Sequence, residues 1–204
     1  FGTDQLGRDV LSRLVYGIRA TVFLSLLTMA ITSALGACVG LVSGFFRNRI
    51  DDVLMRICDV MMSFPSEVML LAIVGMTGPG LENVVIANVV AKWPWYARMV
   101  RSIVRQYSDK DYIRFAKVAG GSSIRIMMRH LLPGTAGELF VLTTLDTGSV
   151  ILMISALSFL GLGVQPPTPE WGAIISGGRS FLFNAPWISI FPGIFLAVTG
   201  VGLS

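Results

Sequence analysis

Long uncharged apolar stretches alternate with polar segments along the chain, and this pattern predicts membrane-spanning helices. Three stretches contain no charged residue at all, namely residues 20–46, 147–169 and 180–204. A helix that crosses a bilayer needs about 20 apolar residues. Each of the three stretches is therefore predicted to form one span.

Two further apolar stretches contain ionisable residues. One covers roughly residues 57–77 and includes Asp59 and Glu67, and the other covers roughly residues 82–100 and includes Lys92. An ionisable side chain inside a span is costly unless it faces protein or water, so we expect these two helices to line a pathway. Together the five stretches predict an all-α, polytopic helical bundle with about five transmembrane helices.

Ionisable residues in or beside the spans are the candidates for a translocation path, and they are Asp59, Glu67, Lys92, Glu138 and Asp146. Two interpretations stay open. In the first, these residues line the path. In the second, Asp59 and Glu138 lie in water at the cytoplasmic helix ends, and Lys92 reaches the interface or pairs with an acid. Glu67 and Asp146 are predicted to lie deepest and are the first candidates, followed by Asp59 and Lys92.

Composition and charge agree with a membrane protein, because 53% of the residues are hydrophobic and only 14% are charged. Soluble domains contain about 25% charged residues. A formal net charge of +4 would suggest nucleic acid as a partner in a soluble protein, but here the distribution matters more. Eleven Lys and Arg residues lie in the loops after the first and third predicted spans, and four lie on the opposite side. The positive-inside rule makes these two basic loops cytoplasmic.

The second basic loop, residues 108–133, carries two short amphipathic helices. Ser108 is predicted to cap the first helix. Its apolar stripe has helical spacing and consists of Tyr112, Phe115, Ala116 and Ala119. Gly120 and Gly121 are predicted to break this helix, and Pro133 to end the second. The second stripe consists of Ile124, Met127, Met128 and Leu131.

A helical elbow with an apolar stripe and a basic face suits a groove on a soluble partner protein. Anionic lipid headgroups are the alternative partner, because basic juxtamembrane helices also bind them. From the residues alone, both interpretations stay open.

Three blocks of sequence resemble one family. The stretch from Tyr112 to Pro133 resembles the EAA loop of permease subunits in binding-protein-dependent ABC importers. Residues 1–13 (FGTDQLGRDVLSR) and 158–172 (SFLGLGVQPPTPEWG) resemble signatures of the dipeptide, oligopeptide and nickel branch, in its second, or C-type, permease. The resemblance implies the type I ABC importer permease fold, with one permease domain over residues 1–204 and a coupling loop within residues 108–133. It also implies a longer subunit with six spans, the first of them upstream of this sequence.

The resemblance implies which residues couple the chain to an ATPase. These positions are Arg114, Phe115 and Ala116 at the EAA triplet, Gly120 and Gly121 at the break, and Leu132 and Pro133 at the close. Arg114 stands where the family usually has Glu. This departure leaves the helix and its packing stripe intact, but it brings into question any salt bridge that the Glu would make with the ATPase.

The resemblance also implies the partners, which are a second homologous permease subunit, two ABC ATPase subunits, an extracytoplasmic solute-binding protein and membrane lipid. No nucleic acid is expected. The chain itself is predicted to be a non-enzymatic transporter subunit, because no lysine follows a glycine as a P-loop requires. No cofactor is expected in this chain, and ATP and Mg²⁺ are expected on the ATPases. His130 is the only histidine, so no metal site is expected either. The implied location is the plasma (inner) membrane of a bacterium or archaeon.

The substrate is the least determined property. Residues 92–101 and 144–148 look more similar to nickel permeases than to peptide permeases, so nickel, free or chelated, is the expected substrate. Import of di- or oligopeptides is the alternative. Two further alternatives are a membrane scaffold or lipid-binding protein and a proton-coupled transporter, but no internal repeat supports the latter.

Overall fold

The computed structural model describes residues 1–203, and over these residues the protein is helical, with one isolated β-bridge between Thr3 and Asp9. The helices are α1 (Val10–Ile18), α2 (Leu24–Phe46), α3 (Arg49–Met62), α4 (Ser66–Thr77), α5 (Leu81–Ser108), α6 (Asp111–Val118), α7 (Ser123–Ile126), α8 (Leu132–Phe159), α9 (Trp171–Gly178) and α10 (Trp187–Gly202). The prediction of an all-α protein is confirmed.

Two π-helical turns join neighbouring helices into longer ones. Arg19–Phe23 joins α1 to α2, and Met127–Leu131 joins α7 to α8. The joined helices Val10–Phe46 and Ser123–Phe159 are the two in the described chain that are long and apolar enough to cross a membrane. A third candidate exists only if α3 and α4, which meet at a bend of 80°, count as one span. The number of five spans stays a prediction.

Several predicted span boundaries are wrong. Residues 147–169 do not form one helix, because α8 ends at Phe159 and residues 160–170 are not helical. The helix starts earlier than predicted, so that Glu138 and Asp146 lie within it. A charged residue ends a charge-free run but need not end a helix. Residues 57–77 contain the bend between α3 and α4.

The last apolar stretch also differs from its prediction. α10 has 16 residues, fewer than the roughly 20 of an average span. Residues 180–186 lie outside it and include part of a 3₁₀ turn, Arg179–Phe181. Pro186 immediately precedes α10, at a position where its missing N–H costs the helix nothing.

Two predicted helix ends in the basic loop are wrong as well. Ser108 is the last residue of α5, and α6 begins at Asp111 without a side-chain cap. Pro133 does not end a helix but lies in the first turn of α8. The preceding π turn, Met127–Leu131, has the wider hydrogen-bond spacing that accommodates a residue without an N–H.

The described chain divides into two compact units. The first consists of Phe1–Met29, Met69–Asn88 and Thr144–Ser204. Its core surrounds Trp171, which is 1% exposed, packs with Leu14 and Ile151, and donates its indole N–H to the Leu14 carbonyl at 3.0 Å. This core fixes α1 and α9 within the unit.

Glu170 is the polar centre of the first unit. Its carboxylate is fully buried and accepts hydrogen bonds from the hydroxyls of Thr21 at 3.2 Å and Ser155 at 2.7 Å. Its second oxygen accepts from the backbone N–H of Ala173 at 2.9 Å and so caps α9. Because three donors satisfy the carboxylate, it can remain in a buried position.

The second unit consists of Ala30–Val68 and Val89–Thr143, and in it α2 approaches α5 closely through three glycines. A Cβ atom on Gly36 would lie 2.3 Å from the Tyr96 Cβ, and one on Gly40 would lie 2.5 Å from the Ala97 carbonyl oxygen. A Cβ on Gly44 would lie 2.9 Å from the Arg101 carbonyl oxygen. This small-xxx-small spacing allows the two helix backbones to meet.

We predict that Gly40→Ala destabilises the protein by about 1–3 kcal/mol, because the new methyl group must push two backbones apart. Reversible unfolding of the detergent-solubilised protein in increasing SDS measures this. Gly137→Ala on α8 is the matched control, since a Cβ there meets nothing within 4 Å; alanine should leave stability unchanged or raise it by up to about 1 kcal/mol. Equal stability of the two variants would contradict the close contact.

Candidate functional site

The segment predicted to be cytoplasmic and to couple the chain to a partner forms an elbow between α6 and α7. Gly120 has a φ of 79° and so occupies the left-handed region that favours glycine. A Cβ on Gly121 would lie 2.8 Å from the Ala116 carbonyl oxygen. The Ser122 hydroxyl accepts from the Arg125 N–H at 3.4 Å and caps α7. The predicted break at the two glycines is confirmed.

One side of the elbow is anchored in the core of the second unit. Ile113, Ile126 and Leu131 are buried together with Val100 and Val104 of α5. The side that packs is therefore only partly the predicted one. Met127 and Leu131 pack as expected, but on α6 the core receives Ile113 and part of Ala116, not Tyr112.

The other side of the elbow exposes large apolar side chains. We call this set the elbow surface, and its exposed fractions are 74% for Phe115, 87% for Val118, 72% for Ile124 and 57% for Met128. Contiguous apolar side chains at the surface usually mark an interaction site. The packing stripe of the sequence thus splits into an anchored side and an exposed side.

Basic side chains accompany the elbow surface. Arg114, Lys117, Arg125 and Arg129 are all exposed. The Lys117 ammonium also lies over the ring of Phe45, at 4.8 Å from its centroid. Because the apolar surface is flanked by positive charge, it suits a partner surface that combines apolar and acidic groups.

The structure brings the predicted coupling residues into one elbow but with unequal exposure. Arg114, Phe115, Gly120 and Pro133 are exposed, whereas Ala116, Gly121 and Leu132 are half-buried. Leu132 packs against the same core as Ile126. The exposed positions are available to a partner, and the half-buried ones hold the elbow in place.

The predicted pathway residues lie in different surroundings. Asp59 forms an ion pair with Arg98, and each side chain is 47% exposed. Glu67 is exposed in the first turn of α4, where it accepts from the Ser66 hydroxyl at 3.1 Å. A carboxylate at a helix N-terminus is favoured by the helix dipole. Glu67 is therefore not in the middle of a continuous span, contrary to the sequence prediction.

Lys92 and Asp146 are half-buried, in the interiors of α5 and α8 respectively. Asp146 accepts a hydrogen bond from the Ser149 hydroxyl, one turn further along the helix. Glu138, nearer the start of α8, is exposed and accepts from the Tyr107 hydroxyl at 3.0 Å. Of these carboxylates, Asp146 is the half-buried one, whereas Asp59, Glu67 and Glu138 are exposed.

Sequence reasoning missed the buried Asp51. Its carboxylate forms ion pairs with Arg101 and Arg105 of α5 and accepts from the Ser43 hydroxyl of α2. One signal was present, because two arginines four residues apart lie on one helix face and attract an acid. The acid that pairs with these two arginines could not be identified from the sequence, since Asp51 and Asp52 are adjacent in a short polar segment.

Near this cluster, Arg47 binds Asp109 at the start of the coupling loop. The distance from Nη1 of Arg47 to Oδ1 of Asp109 is 3.0 Å. The Arg47 hydrogen bond lowers the pKa of Asp109 below its ordinary value, so the carboxylate stays ionised at neutral pH.

Comparison with known proteins agrees with this architecture. A family model described as "Binding-protein-dependent transport system inner membrane component" matches residues 36–203. The di/tripeptide transport system permease protein DppC of Pseudomonas aeruginosa is 41% identical over 204 residues, which cover 99% of this chain and 67% of the relative. The metal-staphylopine import system permease protein CntC of Staphylococcus aureus is 39% identical over 197 residues, covering 97% and 68%.

A solved structure shows a similar fold. An inward-facing form of the MetNI methionine ABC transporter superposes with a TM-score of 0.75 at 18% identity, covering 95% of this chain and 92% of that one. The expected type I importer fold is therefore confirmed, while the low identity carries no further functional conclusion. The chain belongs to the family of inner-membrane components of binding-protein-dependent transport systems, as an ABC importer permease of the dipeptide and nickel branch.

Proposed function

We propose that this permease forms part of the path by which an ABC importer takes up nickel held by a small chelator. The chain contains one histidine and two cysteines, which are few of the imidazole and thiolate ligands that suit a bare transition-metal ion. A chelate supplies its own ligands, so the path need not provide them. The similarity to a metal-staphylopine permease supports this class of substrate.

Peptide import is the second candidate, and one observation favours it equally. The identity to the di/tripeptide permease is 41% and that to the metal-staphylopine permease is 39%, with nearly the same coverage. Small peptides and small metal chelates share carboxylate, amine and amide groups. A path that accepts one class needs little change to accept the other.

The elbow surface is the observation that carries the proposed coupling to ATP hydrolysis. Its exposed apolar side chains form the kind of helical face that inserts into a groove. We infer that two ATPase subunits bind ATP and Mg²⁺, and that the cleft of one of them receives this face. Closure of the ATPases would move the elbow, and alternating access would follow in the spans.

The remaining partners follow from the same proposal. A second homologous permease completes the path, and a solute-binding protein delivers the substrate on the opposite side of a bacterial inner membrane. The EAA-type position Arg114 is exposed beside Phe115. We infer that it lies at the edge of the ATPase contact, where its positive charge faces the partner.

We predict that Phe115→Ala weakens binding of the ATPase subunits by about 10-fold or more, because a buried aromatic anchor contributes about 2 kcal/mol at an interface. Copurification of the ATPases with tagged permease measures this. Phe183→Ala is the matched control, since that phenylalanine is also exposed but far along the chain from the elbow. If the elbow instead binds lipid, Phe115→Ala should reduce binding to anionic vesicles and leave the ATPases attached.

We expect Asp146→Asn to reduce uptake severalfold, because it removes a charge from the interior of α8. Glu67→Gln should have a smaller effect, since Glu67 is exposed at a helix end. Initial uptake rates of membrane vesicles, normalised to permease content, measure both. Wild-type rates in both variants would remove these carboxylates from the proposed path.

Uptake of radioactive nickel and of labelled di- and oligopeptides, in cells with the gene deleted and then restored, tests the substrate. We expect the deletion to abolish nickel uptake, with a stronger effect when a small chelator is supplied. Loss of peptide uptake alone would favour the peptide alternative and contradict the nickel proposal.

A further inference from the structure

A cluster of arginines and aspartates connects the ends of α2, α3 and α5 in the second unit. We call it the arginine–aspartate cluster, and it consists of Arg47, Asp51, Arg101, Arg105 and Asp109. It has a buried part around Asp51 and an exposed part formed by Arg47 and Asp109. The buried part is a fixed connection, whereas the exposed part can open and close.

The buried part is a fixed connection. The Asp51 side chain is 3% exposed, and its Oδ2 accepts from Nη2 of Arg101 at 2.7 Å. Arg105 and the Ser43 hydroxyl complete its surroundings. Because a buried carboxylate that loses its partners is strongly destabilising, this part is expected to persist throughout any motion.

The exposed part joins the turn between α2 and α3 to the loop between α5 and α6. Nη2 of Arg47 donates to the Arg105 carbonyl at 2.7 Å and to Oδ2 of Asp109 at 3.1 Å. The side chains of Arg47 and Asp109 are 38% and 58% exposed. An exposed ion pair is weak and is exchanged easily for water, so this connection can open and close.

The backbone of Arg47 is a second and independent observation. Its φ is 48°, and in the described part of the chain it is the one non-glycine residue with a positive φ. That conformation is unfavourable for an arginine and persists only where the surroundings hold it. The bonds of its side chain to the end of α5 supply such a constraint.

Asp109 lies two residues before α6, so its position affects the elbow directly. α6 is also attached through Ile113 and Ala116, which pack against α2 and α5, and through the Lys117 ammonium over the Phe45 ring. These contacts hold the body of α6 on the core, whereas the Arg47–Asp109 pair lies just before its first residue. This pair therefore bears on where the start of α6 lies.

We propose that Arg47 and Asp109 are positioning residues that transmit movement of the elbow to α2 and α5. The proposal rests on the proposed function, because it assumes that an ATPase moves the elbow. Neither residue belongs to the elbow surface. Their role is to couple ATP hydrolysis to substrate transport.

The test compares Arg47→Gln and Asp109→Asn in the reconstituted transporter, with Arg49→Gln as the control for loss of one exposed arginine, two residues further along at the start of α3. We expect substrate transported per ATP hydrolysed to fall about fivefold in both variants, with the complex assembled and hydrolysis largely retained. The double variant should fall no further than either single variant, and Arg47→Lys should recover part of the coupling. An unchanged ratio of transport to hydrolysis would overturn the proposal.

Hydrogen exchange of the amides of residues 110–118 gives a readout that does not need the ATPases. We expect about tenfold faster exchange in Arg47→Gln and no change in Arg49→Gln, measured on the purified permease subunits in lipid nanodiscs. Wild-type exchange in Arg47→Gln would overturn the positioning role. If Arg47→Gln speeds exchange but the wild-type permease fails to bind ATPase subunits in a separate assay, the attachment of α6 is supported and the proposed function is contradicted.

Discussion

The close contact between α2 and α5 is the constraint on which the second unit depends. Without side chains at Gly36, Gly40 and Gly44, the two backbones meet, and Ser43 comes within reach of the Asp51 and Arg101 pair. The same contact presents Val100 and Val104 as a surface on which the elbow packs. Loss of the contact would therefore remove both the charged and the apolar support of the elbow.

The two units satisfy their buried carboxylates in different ways. Glu170 is surrounded by hydroxyls and a backbone N–H, whereas Asp51 is held by two arginines. The neutral donors have short reach, and they join the start of α9 to Ser155 of α8 and to Thr21 of the first π-helical turn. Arginines have long side chains and can connect helices whose backbones are further apart. Each carboxylate thus connects three helical segments, by short neutral donors in the first unit and mainly by long arginines in the second.

The sequence allowed the helical class, the glycine break and the family of this protein to be predicted, because each depends on local residue pattern. The first helix breaks at Gly120 as expected, and the structure adds that Gly120 has a positive φ and that Ser122 caps the following helix. The ends of α8 could not be predicted in this way. Charge-free runs locate lipid-facing segments, but α8 continues on both sides of Asp146. The half-buried position of Asp146 depends on tertiary packing.

The faces of the elbow show a second limit of the pattern. Helical spacing places Phe115 and Ala116 on one stripe, yet Phe115 is exposed and Ala116 is half-buried, while Ile113 from outside the stripe is fully buried. The elbow carries apolar residues on two sides, one packed on its own helices and the other exposed. Periodicity then identifies the helix without identifying its inner side.

A segment that transmits force needs both rigid and reversible attachments. The apolar core beneath α6 keeps the elbow on α2 and α5, and the Asp51 pairs keep those helices together. Arg47 and Asp109, by contrast, meet at the surface, where the free energy of their ion pair is small. The proposed coupling requires such a small free energy, because a displacement driven by an ATPase would then change this contact while leaving the core intact. Within the cluster, the Asp51 pairs hold the helices together, and the Arg47–Asp109 pair sets the position of the elbow.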